Sequence, residues 1–175
     1  MERAKRFDTQ ALEEIFDKYS PGIYRYAYRL LGNTELASEC MSETFSRFLN
    51  ALKQGSGPEY YLQAYLYRIA HNWITDFYRR NTPIMVPLEQ DLNDSPTDGP
   101  HEIMAAKLEI QQLRYALTLL TPEQRQVIAL KYLENSDNET IAQAMNKPIG
   151  AIKALQHRGI ESLRRILVRF EDKLV

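Results

Sequence analysis

The chain has 175 residues, 44% of them hydrophobic and 26% charged, and a formal net charge of −1. That length suits one large domain or two small ones of a globular protein. The single cysteine, Cys40, excludes an internal disulfide and a cysteine zinc cluster, and His71, His101 and His157 are too scattered for a local metal motif. Nothing behind the charged start Met1 to Asp8 has the apolar length of a signal peptide or a membrane span. No Gly-rich phosphate loop, nucleophile with a nearby base or pair of carboxylates marks an enzyme. The expectation is a cytoplasmic, non-catalytic protein without a metal or cofactor, in which Cys40 is a small core residue.

Near-neutrality hides an uneven distribution of charge. From Met1 to Arg80 bases and acids almost balance, whereas Asn81 to Ala106 holds Glu89, Asp91, Asp94, Asp98 and Glu102 and no base. From Lys107 onward bases outnumber acids. Within that last part Lys147, Lys153, Arg158, Arg164, Arg165 and Arg169 face the single acid Glu161, the strongest electrostatic signal in the chain.

In chain order, Ser20-Pro21 offers an N-cap and an N1 proline, the run Ile23 to Leu31 follows, and Gly32 suits a helix stop. Asn33 is placed to cap a second helix, whose Ala37, Met41, Phe45, Phe48 and Leu52 form one stripe while Glu39, Ser42, Glu43 and Ser46 lie on other faces. Gly55-Ser-Gly-Pro58 ends it. A third helix is predicted from about Glu59 to Arg80, with Leu62, Leu66, Ile69, Trp73 and Phe77 on its apolar stripe. Four prolines and a glycine between Asn81 and Pro100 prevent a helix there, and the acidic composition predicts an extended linker between separately folded units.

After the linker a helix is predicted from about Ile103 to Leu119. Two capping boxes follow, Thr121-Pro-Glu-Gln124 and Ser136-Asp-Asn-Glu139. The second helix of that pair ends near Met145-Asn146, and a last helix runs from Pro148 or Ile149 to about Phe170. Short helix, tight turn and long helix make a helix-turn-helix. The fold class is therefore all-α: an N-terminal helix bundle (1–80), a flexible acidic Pro-rich linker (81–102) and a C-terminal helix-turn-helix domain (103–175).

Two faces carry candidate nucleic-acid chemistry. The basic last helix has the charge a recognition helix needs, with bases for phosphates and for base edges; on charge alone an ordinary solvated face explains it equally well. The Glu59 to Arg80 helix interleaves Tyr60, Tyr61, Tyr65, Tyr67, Trp73 and Tyr78 with Arg68, His71, Arg79 and Arg80, a combination suited to unstacked bases on a single strand. Most of these aromatics are expected in the core, Trp73 among them. Tyr67 and His71 are the better candidates for an exposed face.

Ile23-Tyr-Arg-Tyr-Ala-Tyr-Arg-Leu-Leu-Gly32, Glu39-Cys-Met-Ser-Glu-Thr-Phe45, Ala64-Tyr-Leu-Tyr-Arg-Ile-Ala-His-Asn-Trp-Ile-Thr-Asp76, Leu119-Leu-Thr-Pro-Glu-Gln-Arg-Gln-Val-Ile128 and Ile149-Gly-Ala-Ile-Lys-Ala-Leu-Gln-His-Arg158 together resemble the extracytoplasmic-function (group 4) sigma factors of bacterial RNA polymerase. The resemblance spans both halves in the family's order. It implies a sigma factor that binds core RNA polymerase and directs promoter recognition, DNA opening and initiation. Glu39, Ser42 and Glu43 would dock on the clamp helices of β′, with β the other core partner. The loop Gln54 to Pro58 and Tyr67, Arg68, Asn72, Arg79 and Arg80 would open and read the minus-ten element. Lys153, Gln156, His157 and Arg158 would read the minus-thirty-five element, and the acidic linker would thread toward the RNA exit path. The resemblance also implies a separate anti-sigma factor and no membrane contact of the chain's own.

Some positions depart from the family pattern. Pro148 stands where a small polar N-cap is frequent, at a cost of roughly 1 kcal/mol. Ala154 and Leu155 replace frequent polar or basic residues, so the upstream element is expected to be spelled differently. The stop at Val175 leaves no room for a further C-terminal regulatory domain, which favours control by a separate protein. The competing class is a helix-turn-helix regulator that binds duplex DNA without core polymerase. A receiver-type N-terminal half would need alternating strands and helices, and residues 1–80 show helical periodicity alone.

Overall fold

A computed structural model describes the backbone of residues 1–81 and 100–171 and the side chains of 1–81 and 106–169. The expected linker falls largely outside these residues. Among them the secondary structure is helical: α1 (Glu2–Lys5), α2 (Thr9–Leu31), α3 (Thr34–Lys53) and α4 (Leu62–Arg80) in the first half, then α5 (Pro100–Thr118), α6 (Pro122–Ile128), a π-turn at Ala129–Leu133, α7 (Asn138–Met145) and α8 (Ile149–Glu171).

The caps explain most of the boundaries. Gly32 closes α2 at φ 70°, a left-handed conformation that glycine adopts at little cost. One residue later the Asn33 side chain accepts from the Leu36 amide at 2.8 Å and starts α3. Asn33→Ala is expected to cost about 1 kcal/mol in a urea titration while Asn33→Asp retains the cap; equal stability of Asn33→Ala and wild type would mean the cap contributes nothing. Thr121 and Gln124 form the reciprocal capping box expected of them.

Some helix starts differ from the sequence expectation, among them α4, which begins at Leu62 and not at about Glu59 because Tyr61 before it is left-handed at φ 54°. Ser20 is no N-cap: α2 begins at Thr9, capped by Asp8 through the Ala11 amide at 2.9 Å, and runs through Pro21. An interior proline costs about 3 kcal/mol of helix, but Leu12, Ile15, Tyr19, Ile23, Tyr26 and Leu30 keep helical spacing across it and all pack into or against the core, so burial holds the helix together. The α7 cap is Asp137, which accepts from the Thr140 amide at 2.7 Å, in place of Ser136. A carboxylate one residue later meets the same orphan amides, and the helix start moves with it.

In the first half α2, α3 and α4 pack on one another, and in the second α5, α6 and α7 pack on α8. Tyr26, Phe48, Ile23, Leu30, Leu66 and Ile74 are fully buried in the former, Leu130, Ile141, Ile152 and Val127 in the latter. Cys40 is buried with its thiol pushed up to about 12 by desolvation, an inert core position as expected. The two halves also pack together: α7 lies on α4, while α5 and the π-turn lie on α2, so one buried apolar cluster runs through both. No helix of the described residues is long and apolar enough to cross a membrane.

Candidate polymerase and nucleic-acid interfaces

The α3 face opposite its buried stripe is free. Glu39 and Ser42 are exposed and Glu43 is half-buried, with Glu43 paired to Arg47 at 2.7 Å one turn on. Ser42, Phe45 and Leu49 follow at steps of three and four, and Leu49 is exposed. Beside them α2 contributes Phe16, 43% exposed, whose ring lies 4.8 Å from that of Phe45. Leu12, Phe16, Phe45, Phe48 and Leu49 line an apolar cleft of about 450 Å³. The polar lining of this groove is Thr9, Glu13 and Asp17 of α2, an acid-bordered apolar arrangement that suits a partner helix, while Glu39 lines a separate cleft with Arg47, Asp76 and Arg80. Sequence periodicity located the acids of α3 but not Phe16 and Leu49: Phe16 precedes the first helix predicted, and Leu49 lies outside the stripe assigned to α3.

The α4 residues divide. Asn72, Arg79 and Arg80 are exposed; Arg79 is tied to Asp76 at 3.1 Å, a solvated pair of little energetic weight. Arg68 is half-buried with its guanidinium 5.5 Å from the Tyr65 ring centre. Tyr67 and His71, expected on an exposed face, are 5% and 3% exposed. The second half covers that face. Tyr67 donates to Glu134 at 3.2 Å, and His71 bridges three elements, lying 2.8 Å from the Tyr26 hydroxyl and 3.0 Å from the Pro122 carbonyl. A carbonyl only accepts, so Nε2 carries the proton and Nδ1 accepts from Tyr26. Burial holds the imidazole down to about 3, with the charge of Arg125 acting in the same direction.

Arg125 is itself 3% exposed and stacked 4.6 Å over the Tyr78 ring. Among the described residues its Nε and Nη1 find no hydrogen-bond partner. A buried cation so incompletely satisfied costs several kcal/mol, so the packing of the halves carries an electrostatic penalty. Tyr60 and Tyr61, 77% and 63% exposed, stand beside the Gln54 to Pro58 loop. Their signal in the sequence was position: both precede the apolar stripe of α4 and so had no place in its core.

The second half presents α8. Lys153, Ala154, His157 and Arg158 are exposed in a row, while Ile152 and Leu155 are buried against α6 and α7. Leu155 is therefore a packing position, and only Ala154 of the two departures faces outward. His157 lies 3.4 Å from Glu161. Gln156 is half-buried and donates to Asn138 of α7 at 2.9 Å, which holds its amide at the edge of the exposed row. Gly159 allows α8 to cross α6 closely: a Cβ there would lie 2.9 Å from Ile128.

Fold and surfaces define an all-helical protein with a basic helix-turn-helix helix in its second half and an apolar groove beside exposed acids in its first. The Sigma-70 region 2 family matches residues 15–84 and the Sigma-70, region 4 family matches residues 110–163. Similar curated proteins are the ECF RNA polymerase sigma factors BldN of Streptomyces coelicolor (29% identity, 95% of this chain and 64% of that one), SigW of Bacillus subtilis (28%, 95% and 94%) and SigE of Mycolicibacterium smegmatis (30%, 92% and 63%). The chain thus spans somewhat less than two thirds of BldN and SigE and nearly all of SigW. Among solved structures, CnrH in complex with the cytosolic domain of CnrY has a TM-score of 0.67 at 18% identity, covering 95% of this chain and 94% of that one. RpoE in complex with the anti-sigma factor NepR from Bartonella quintana has 0.61 at 19%, covering 90% and 97%. The chain belongs to the sigma-70 family of RNA polymerase sigma factors, in its extracytoplasmic-function group.

Proposed function

We propose that the chain is a promoter-specificity subunit, acting in the cytoplasm without catalysis of its own, that docks on core RNA polymerase through α3 and directs it to a two-part promoter. The observation that carries this reading is the coexistence, in one chain matched by both sigma-70 regions, of an acid-bordered apolar groove and an exposed basic helix-turn-helix helix. A duplex-binding regulator has no need of the first. Glu39, Ser42 and Glu43 supply the polar rim of the β′ contact and Phe16 and Leu49 its apolar part, with β as the further core partner.

In this reading residues 1–80 and 103–175 are the two functional units. Asn72, Arg79, Arg80 and the exposed Tyr60 and Tyr61 meet the unstacked minus-ten strand, joined by Tyr67 and Arg68 once the second half moves away. Lys153, Gln156, His157 and Arg158 meet the minus-thirty-five duplex. An anti-sigma protein that covers the α3 groove competes with core polymerase and supplies control. Run-off transcription with purified core enzyme on a promoter library tests the whole. Promoter-specific transcripts are expected only when the chain is added, whereas tight sequence-specific duplex binding by the chain alone would favour the regulator.

Glu39→Lys with Glu43→Lys is expected to weaken core-polymerase binding at least tenfold, about 1.4 kcal/mol or more, with the helical signal unchanged because both residues lie off the buried stripe. Unchanged affinity in a titration would remove this docking face.

A further inference from the structure

The side chain of Glu134, just after the π-turn, is 2% exposed although it is a carboxylate at a contact between two halves. Three donors from the first half converge on it: Arg29 at 2.9 Å, Arg25 at 3.4 Å and the Tyr67 hydroxyl at 3.2 Å. Arg25 and Arg29 stand one turn apart on α2, so both guanidinia reach the same point. Arg29 also holds the Leu133 carbonyl. Gly22 clears the way for the third donor, since a Cβ there would lie 3.2 Å from the Tyr67 hydroxyl. A glycine inside a helix costs about 1 kcal/mol, and this one is spent on bringing Tyr67 beside the two arginines.

Adjoining this point is a cleft of about 290 Å³ whose lining includes Lys18, Tyr19, Arg25, Gln63 and Tyr67 and no Asp or Glu. One carboxylate therefore faces two guanidinia with a lysine close by, an excess of positive charge and donors. Planar guanidinium forks and a phenolic hydroxyl suit an oxyanion with several acceptor oxygens, and phosphate matches them better than a single carboxylate does. Tyr67 belongs to the same helix as Arg68 and Asn72, where a single strand is to be read.

We propose that Arg25, Arg29 and Tyr67 form a site for a backbone phosphate of single-stranded promoter DNA, and that Glu134 occupies it in place of that phosphate while the two halves are packed together. The biological setting rests on the sigma-factor reading. Phosphate and Glu134 then exclude one another, so strand binding at α2 and separation of the halves are linked: whatever favours one favours the other.

The test uses the full chain and oligothymidylate, a single strand in which the sequence-independent backbone contact can be read in isolation. Glu134→Gln is expected to raise affinity about tenfold by freeing the site. Adding Arg25→Ala and Arg29→Ala to that variant is expected to remove the gain and to lower the slope of log K against log salt by about 0.7, the loss of one single-strand phosphate. An unchanged affinity in Glu134→Gln, or a gain that survives loss of both arginines, overturns the proposal and leaves the cluster as an ion pair between the halves. Run-off transcription by wild-type chain with core polymerase is measured in parallel. Its failure would overturn the sigma-factor reading, and the oligonucleotide titration would still decide the phosphate site.

Discussion

Below pH 6.5 the chain is expected to lose about 1.4 kcal/mol of stability for each pH unit as His71 comes under strain, and His71→Gln to abolish most of that slope. The native imidazole is held neutral down to about 3, chiefly by burial, against an ordinary value of 6.5. Above pH 6.5 neither folded nor unfolded chain protonates it, and stability is full. Between 6.5 and about 3 the unfolded chain takes up a proton that the folded chain refuses, so stability falls with falling pH. The carboxyls of Asp8 and Asp137, held below their ordinary 3.8 mainly by the Ala11 and Thr140 amides, add their own loss only at the acid end of this window. Glutamine can still donate to the Pro122 carbonyl and accept from Tyr26 but does not titrate. Urea titrations across the pH range check this; a flat wild-type profile from neutrality to pH 4.5, or a slope unchanged in His71→Gln, would show that His71 is not the group responsible.

Lys153→Ala and Arg158→Ala are each expected to reduce promoter-specific transcription by about tenfold, within the 1–3 kcal/mol that a base or phosphate contact contributes. Both side chains are exposed on the outward row of α8, where loss of charge leaves the buried Ile152 and Leu155 packing intact. The two substitutions need not act alike. Loss of a phosphate contact weakens binding to all upstream sequences and lowers the salt slope by about 0.9, whereas loss of a base contact changes which sequence is preferred. The measurement is run-off transcription over a library of upstream elements at several salt concentrations. Equal activity of wild type and both variants on every element would remove this helix from promoter reading.

Much of the architecture was legible in residue order because its causes are local. The Gly32-Asn33 junction, the Thr121 to Gln124 capping box, the end of α7 at Asn146 and the apolar stripes of α3 and α4 follow from caps and from helical periodicity, which act within a few residues. Glu39 and Ser42 were placed on a free face for the same reason, since both lie off the stripe that α3 declares, whereas Lys153, His157 and Arg158 were singled out by the resemblance to the family. The α2 proline misled because a local rule was applied where burial of the stripe from Leu12 to Leu30 outweighed it. At Ser136 two neighbouring caps competed, and the carboxylate of Asp137 took the amide.

The sequence by itself determined that the chain is helical, which faces of α3 and α4 are apolar, and that a basic helix-turn-helix follows an acidic, proline-rich stretch. Only the tertiary structure decided what the α4 aromatics do. Tyr67 and His71 are buried by partners 67 and 51 residues away, Glu134 and Pro122, and Arg29 meets Glu134 across 105 residues. No helical period encodes such pairs. They arise because the second half lays α7 on α4 and the π-turn on α2, and a buried carboxylate or imidazole is tolerated only where donors from another part of the chain happen to converge.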